Sequence, residues 1–305
     1  MKRFYFGILL WLVMFPAFSQ TITDGLMMAP KSLCTGFLYT NDQWKSYWEG
    51  TLLRENGNIG TVSTSSVTWM GTYGITEKLN AIAMTPYVWT HASQGVLSDM
   101  KGIQDLTLAL KYRFYKKEMG TGTFRAFAVG SYAIPLTNYS PDFLPLSIGT
   151  GSKRLQGRLT LNYKLNKGWY INGTTAYTWR GNVTLDRASY YTDGQLTMSN
   201  EVWMPNVMEF SFMTGYHKDA LNVFLSYNQQ NTLGGGDIRR QDMPFVSNRM
   251  NFSKIDLTVM YYLPKPKNLA IRGAVGYTVA GGNVGQSTYF MGGLLYTFHF
   301  SKTEN

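Results

Sequence analysis

Along residues 105–114 the chain alternates without a break. Leu106, Leu108, Leu110, Tyr112 and Phe114 fall on one side, and Asp105, Thr107, Ala109, Lys111 and Arg113 on the other. A period of two sends successive side chains to opposite faces of a strand, so this stretch predicts a strand with one apolar and one polar face. Residues 154–165 repeat the pattern. There Leu155, Leu159, Leu161, Tyr163 and Leu165 oppose Arg154, Gln156, Arg158, Thr160, Asn162 and Lys164. So do 208–216, 221–228, 254–262 and 269–279. No convincing stretch of the helical 3.6 period is found.

About twelve such runs are marked, near 33–47, 61–74, 79–91, 103–115, 124–136, 154–165, 169–180, 205–216, 220–230, 252–263, 268–280 and 287–300. Most are long enough for tilted transmembrane strands, which need about 9–11 residues to cross. The run 61–74 is less clean. In 79–91 and 124–136 the pattern does not say which face is which, so Arg125 stays unassigned.

The connections supply the topology. Those after the even runs are short: 75–78, 116–122, 166–168, 217–219 and 264–267. Those after the odd runs are mostly long: 49–60, 92–102, 137–153, 181–204 and 231–251, with only 281–286 brief. Alternating long and short ends around an even number of antiparallel strands predict an all-β, closed antiparallel transmembrane β-barrel, with short periplasmic turns and long extracellular loops. Closure is compulsory, because each unpaired backbone group in lipid costs several kcal/mol. Aromatics near strand ends fit interfacial girdles: Trp44, Tyr47, Trp48, Trp89, Tyr112, Phe114, Tyr115, Trp169, Trp179, Tyr261, Tyr262, Tyr296 and Phe298.

The N-terminus sets the compartment. Lys2 and Arg3 precede an apolar run, and Ala17-Phe18-Ser19 ends it with small residues. This is the pattern of a secretory signal peptide over 1–19, cleaved before Gln20. Residues 20–32 are then a short segment that either enters the lumen or hangs in the periplasm. The barrel occupies 33–300, and 301–305 form a tail. The final run carries Phe290, Leu294, Tyr296, Phe298 and Phe300 on one face, of the kind the barrel-assembly machinery reads, although Ser301–Asn305 follow it. The expected site is the outer membrane of a Gram-negative bacterium, with its lipid as the first partner.

Composition narrows the chemistry. Charged residues make up only 15% of the 305, against about 25% in ordinary soluble domains. One Cys excludes a disulfide scaffold, and one Cys with three His leaves too few ligands for a Cys/His zinc module. The formal net charge is +10. With Lys2 and Arg3 removed, 26 basic residues face 18 acidic ones, or +8.

Residues 102–114 (Gly102-Ile103-Gln104-Asp105-Leu106 to Lys111-Tyr112-Arg113-Phe114), a strand ending Ala133-Ile134-Pro135-Leu136, a Gly/Ser-rich loop and the strand from Arg154 to Tyr163 together resemble the MetA-pathway phenol-degradation family of outer-membrane proteins. The middle third carries the resemblance most clearly. Leu136-Thr137-Asn138 stands where that family usually has Gly after Pro. Asp42-Gln43-Trp44 and Tyr47-Trp48-Glu49-Gly50 look like a Bacteroidetes-type branch. The resemblance implies relatedness to fatty-acid and aromatic-hydrocarbon channels, and hence transport of small, often hydrophobic molecules.

The polar faces give the candidate lumen: Asp105, Lys111, Arg113, Arg154, Arg158, Lys164, Arg180, Glu209, Lys254, Asp256 and Arg272. Charges facing a lumen are hydrated or paired. Two readings stand: a basic, anion-favouring pore for an unidentified small molecule, or a salt-bridge network that plugs a narrow barrel and leaves the outer loops to bind a partner. A nucleic-acid partner has no motif to support it. No cofactor is expected. His91-Ala92-Ser93 has the His–Ser spacing of an outer-membrane lipid hydrolase, but no third residue to orient the imidazole can be placed. His217 and His299 read as interfacial side chains, Gly234-Gly235-Gly236-Asp237 as a flexible outer loop, and Met27-Met28 as chance.

Overall fold

The computed structural model describes residues 21–240 and 243–300. The proposed signal peptide and the C-terminal tail lie outside them. Twelve long strands form the wall: β1 (Ser32–Trp44), β2 (Val62–Gly74), β3 (Leu79–Ala92), β4 (Asp105–Met119), β5 (Gly122–Pro135), β6 (Arg154–Leu165), β7 (Trp169–Arg180), β8 (Val207–Lys218), β9 (Leu221–Thr232), β10 (Asn251–Tyr262), β11 (Leu269–Gly282) and β12 (Thr288–His299). Each pairs antiparallel with its sequence neighbours. The ring closes where β1 pairs with β12, from Ser32 opposite His299 to Gln43 opposite Thr288. No edge remains, which is the only sheet that lipid tolerates.

Alternation sorts the two faces sharply. Leu110 is 54% exposed while Lys111, the next residue, is completely buried. On an ordinary soluble protein that would be inside out. Here the exposed series Leu108, Leu161, Ile171, Leu257, Ile271 and Leu294 covers the outside of the wall. Such a continuous apolar belt far exceeds the few hundred Å² a soluble monomer leaves uncovered. Tyr73, Tyr112, Trp169 and Tyr261 ring its short-turn end, and Tyr39, Tyr87 and Trp179 its long-loop end.

The undecided strands resolve. Asn80, Ile82, Val88 and Thr90 of β3 and Thr123, Phe127, Val129 and Ala133 of β5 are buried inward-facing positions, and Arg125 shares that face. In β2 the inward Thr64, Ser66 and Thr68 stand beside Ser63 and Ser65, so polar residues on both faces hide the alternation. A bulge at Arg113/Tyr115 lets Phe114 and Tyr115 both face outward.

Two expectations about the first loop need correction. The barrel strand ends at Trp44, and Ser46–Glu49 instead pairs with Leu52–Glu55 in a hairpin. Trp44, Tyr47 and Trp48 are therefore not girdle residues. Trp44 packs with Ile59, Val62 and Leu146, and Trp48 is buried against Gly281 and Val284. The hairpin folds over the barrel mouth, where covering these rings with protein removes them from both water and lipid. The long loops together make a crown with its own core, Val183, Leu185, Val202, Met204 and Val246. The Gly234–Asp237 stretch belongs to this crown. Gly236 O accepts from Arg249 N at 2.9 Å and Asp237 Oδ1 from Asn283 Nδ2 at 2.7 Å, so it is tied down rather than free.

Candidate functional site

The lumen is filled in its short-turn half by the segment before β1. Lys31 N donates to Gly74 O at 2.8 Å and Phe300 N to Lys31 O at 2.8 Å, fixing the point of entry. From there residues 21–30 run up inside the wall. Met28 packs with Cys34, Met70, Met260, Ala270 and Leu295, and Ile22 with Ile82, Ala109 and Val129. Gly25 lies so close to β6 that a Cβ there would sit 2.6 Å from the Asn162 side chain. The gap left between this segment and the β6–β7 wall is about 10 Å³, room for at most one water.

One charged pair anchors the plug. Lys111 Nζ donates to Asp24 Oδ1 at 2.7 Å, to Asp24 O at 2.7 Å and to Thr21 O at 2.9 Å. An ammonium has three N–H donors, and all three are used. Asp24 Oδ2 in turn accepts from Thr21 N and Thr21 Oγ1, and Oδ1 from Leu26 N, so the carboxylate shapes its own turn. Arg272 and His217 also lie within electrostatic range of Asp24. His217 is not interfacial. It points inward, buried, with Nδ1 3.5 Å from Lys164 Nζ. Arg113 and Arg125 stand together at the same end, with Arg125 Nη1 donating to Asn162 Oδ1 at 3.2 Å.

Above the plug the lumen opens into a chamber of about 220 Å³, with Ile22 and Met84 on its lining. Arg154, Arg158 and Arg180 line it on β6 and β7, and Glu209 on β8. Arg158 Nη2 donates to Glu209 Oε2 at 2.7 Å, and Gln156 Nε2 joins the same oxygen at 3.1 Å. Arg154 Nη2 donates to Asp105 Oδ2 at 2.6 Å. Tyr139, from the β5–β6 loop, donates to the other Asp105 oxygen at 2.6 Å. Burial, then that hydrogen bond to Asp105, push the Tyr139 hydroxyl above its ordinary pKa, so this donor persists at alkaline pH. The Nε–H groups of Arg154 and Arg158 are buried and find no protein acceptor. On the opposite wall Lys254 lies 3.4 Å from Asp42, and Asp256 accepts from Asn228 Nδ2 at 2.5 Å.

The charged residues picked from the polar faces thus all sit on the inner side of the wall. The structure splits them into three groups, with Lys254 and Asp256 on the opposite wall and Arg180 in the chamber. Lys111, Arg113, Lys164 and Arg272 belong to the plugged half; Asp105, Arg154, Arg158 and Glu209 to the chamber. Sequence reasoning missed Asp24, Asp42 and Tyr139, which sit outside the clear alternation or in a loop. The His91–Ser93 pair is not assembled as a catalytic unit. His91 Nδ1 pairs with Asp99 at 2.8 Å, Ser93 Oγ accepts from Thr61 N at 2.8 Å, and no hydrogen bond joins them. Among the described residues no group of three His, Cys, Asp or Glu could hold a metal ion.

A closed 12-stranded barrel with an apolar belt, aromatic girdles and a charged interior defines the outer-membrane channel fold. The chain belongs to the family described as "Putative MetA-pathway of phenol degradation", whose model matches residues 58–292. Among solved structures it is similar to the COG4313 outer membrane channel from Pseudomonas putida F1, with 13% identity, a TM-score of 0.67 and coverage of 89% of this chain and 97% of that one. Fits to the NanC porin (8% identity, TM-score 0.46, coverage 85% and 98%) and to a TodX monoaromatic hydrocarbon channel mutant (12%, 0.42, 90% and 91%) are looser. No curated protein matches the chain by sequence.

Proposed function

We propose that this protein is an outer-membrane channel of a Gram-negative bacterium. It passes small molecules by diffusion through the basic chamber and performs no covalent step. One observation carries the reading: a chamber lined by three arginines and one glutamate. Guanidinium groups that outnumber the carboxylate beside them favour a solute that brings acceptor atoms. Asp105 and Glu209 offset part of the charge and leave the chamber weakly anion-favouring. The plug sets the resting state, and passage through the short-turn half requires it to move. Asp99 on His91 Nδ1 supplies the orienting carboxylate a hydrolase would use, but Ser93 Oγ is engaged by Thr61 N and no hydrogen bond joins it to His91, which counts against the hydrolase alternative.

The test is conductance of the refolded protein in a planar bilayer, with reversal potentials read under a salt gradient. The full chain is expected to give small steps. A variant lacking Thr21–Met28 is expected to give steps several-fold larger and anion-selective. If both stay silent while the heat shift on a gel shows folded barrels, the channel reading fails. The filled lumen favours the second reading, a plugged barrel whose crown binds a partner, and that result would select it.

A further inference from the structure

A second cavity lies in the crown, and the structure assigns it a ligand class: we infer that it binds a small amphipathic carboxylate, with an apolar body about the size of one aromatic ring. The cavity measures about 220 Å³. A buried apolar cavity of about 150 Å³ is enough to take up benzene, so this one has room for a ring and a short polar group. Its floor and walls come from four different loops and the end of β1. Trp44 and Tyr47 meet edge to face at 6.4 Å, and Ile59, Leu144 and Val284 complete an apolar lining. Side chains so distant in sequence converge here with their apolar parts turned into the space.

The polar groups decide the ligand's head. Two asparagines of the lining hold the loops. Asn56 Oδ1 accepts from Ile59 N at 3.3 Å. Asn283 accepts from Gly50 N and Ile238 N and donates to Asp237 Oδ1 and Arg249 O. Asn283 has little left for a guest, whereas the Asn56 amide nitrogen is a second donor that a carboxylate head could use. Arg240 is different. It lines the cavity, is exposed, and among the described residues forms no ion pair. A guanidinium at the edge of an apolar pocket matches a carboxylate whose hydrophobic body sits inside, since its planar fork donates to both oxygens at once. A neutral hydrocarbon would leave Arg240 unused, and a fully polar anion would leave the ring-lined walls facing water. Pockets that combine many apolar groups with few placed polar ones are typical of small-molecule sites.

The proposal rests on the channel reading only for its purpose, which would be capture before passage. Its test needs no flux. Benzoate, benzyl alcohol and acetate are titrated into the refolded full-length protein in detergent, with binding followed by calorimetry and by the fluorescence of the pocket's Trp44. Benzoate is expected to saturate and acetate to show no binding. Arg240→Gln is expected to weaken benzoate at least about tenfold, the scale of one charge-assisted hydrogen bond, while binding of benzyl alcohol stays the same. Val284→Trp, which fills the cavity, is expected to abolish both. Benzoate affinity unchanged in both variants would overturn the assignment, as would no benzoate binding by protein that shows the heat shift of a folded barrel. If Val284→Trp loses the shift it is replaced by Leu144→Trp, which fills the cavity from another loop with the same expected loss. Flux without benzoate binding would sink this inference alone. Binding without conductance would sink the channel reading and leave the pocket standing.

Discussion

The two halves of the lumen are walled by the same strands and lined by the same kinds of residue, yet they are built differently. In the short-turn half, Lys111 is fully buried and every donor of its ammonium is used within 2.9 Å by one acidic turn of the chain's own N-terminal segment. In the long-loop half, the Arg154 side chain is 36% exposed, gives one Nη2 hydrogen bond to its carboxylate partner, and lines an open chamber. The difference teaches what makes an interior charge structural rather than functional. A charge matched atom for atom by protein is locked, because removing its partner strands it in a dry site. A charge left partly solvated, with spare donors, remains available to a passing solute.

The comparison can be broken at its strongest point. Asp24→Asn removes the charge opposite Lys111 and leaves a buried ammonium uncompensated, a loss of about 3–5 kcal/mol. It is expected to lower the midpoint of denaturant unfolding in detergent micelles, or to release the plug and enlarge the conductance steps. Neither change would show that the pair is not the anchor.

Gly25→Val attacks the same half through shape. The added carbons meet Asn162, and overpacking of this kind costs about 1–3 kcal/mol. Its expected signature is larger conductance steps with the heat shift of the barrel retained, since only the plug is displaced.

The chamber should respond in the opposite sense. Arg154→Gln removes a cation that is one-third exposed; its partner Asp105 is buried but keeps the Tyr139 hydroxyl as a donor, so a stability cost below that of Asp24→Asn is expected. The anion preference in the reversal potential is expected to fall, and more so when combined with Arg158→Gln. A stability loss as large as that of Asp24→Asn, with selectivity intact, would erase the distinction between the halves.

A double variant sharpens it. In Asp24→Leu/Lys111→Met both charges go together. Replacing a buried pair with apolar groups of similar volume is often neutral, but here it also unpairs backbone groups of Thr21, Asp24 and Leu26, so a loss smaller than that of Asp24→Asn alone is expected by the same unfolding measurement.

Much of this molecule was legible in its residues. Strands that face lipid on one side and a polar lumen on the other must alternate, and the alternation placed twelve strands, their faces and the inward position of Lys111, Arg154, Arg158 and Arg272. Where both faces are polar, as at Ser63–Ser66, or where the inner face is itself apolar, as at Phe127 and Val129, the period weakens and the faces could not be read. Trp44, Tyr47 and Trp48 were misplaced because a ring near a strand end looks the same whether lipid or a folded loop covers it.

The sequence by itself determined the wall, because a period of two is a local property and lipid enforces it at every position. Only the tertiary structure decided what occupies the lumen and what caps it. Asp24 meets Lys111 across 87 residues, Arg158 meets Glu209 across 51, and Asn283 ties Gly50 to Asp237 across the crown. Such pairings follow from closure of the ring and from the paths of aperiodic loops, and a single residue carries no mark of the partner that closure brings to it.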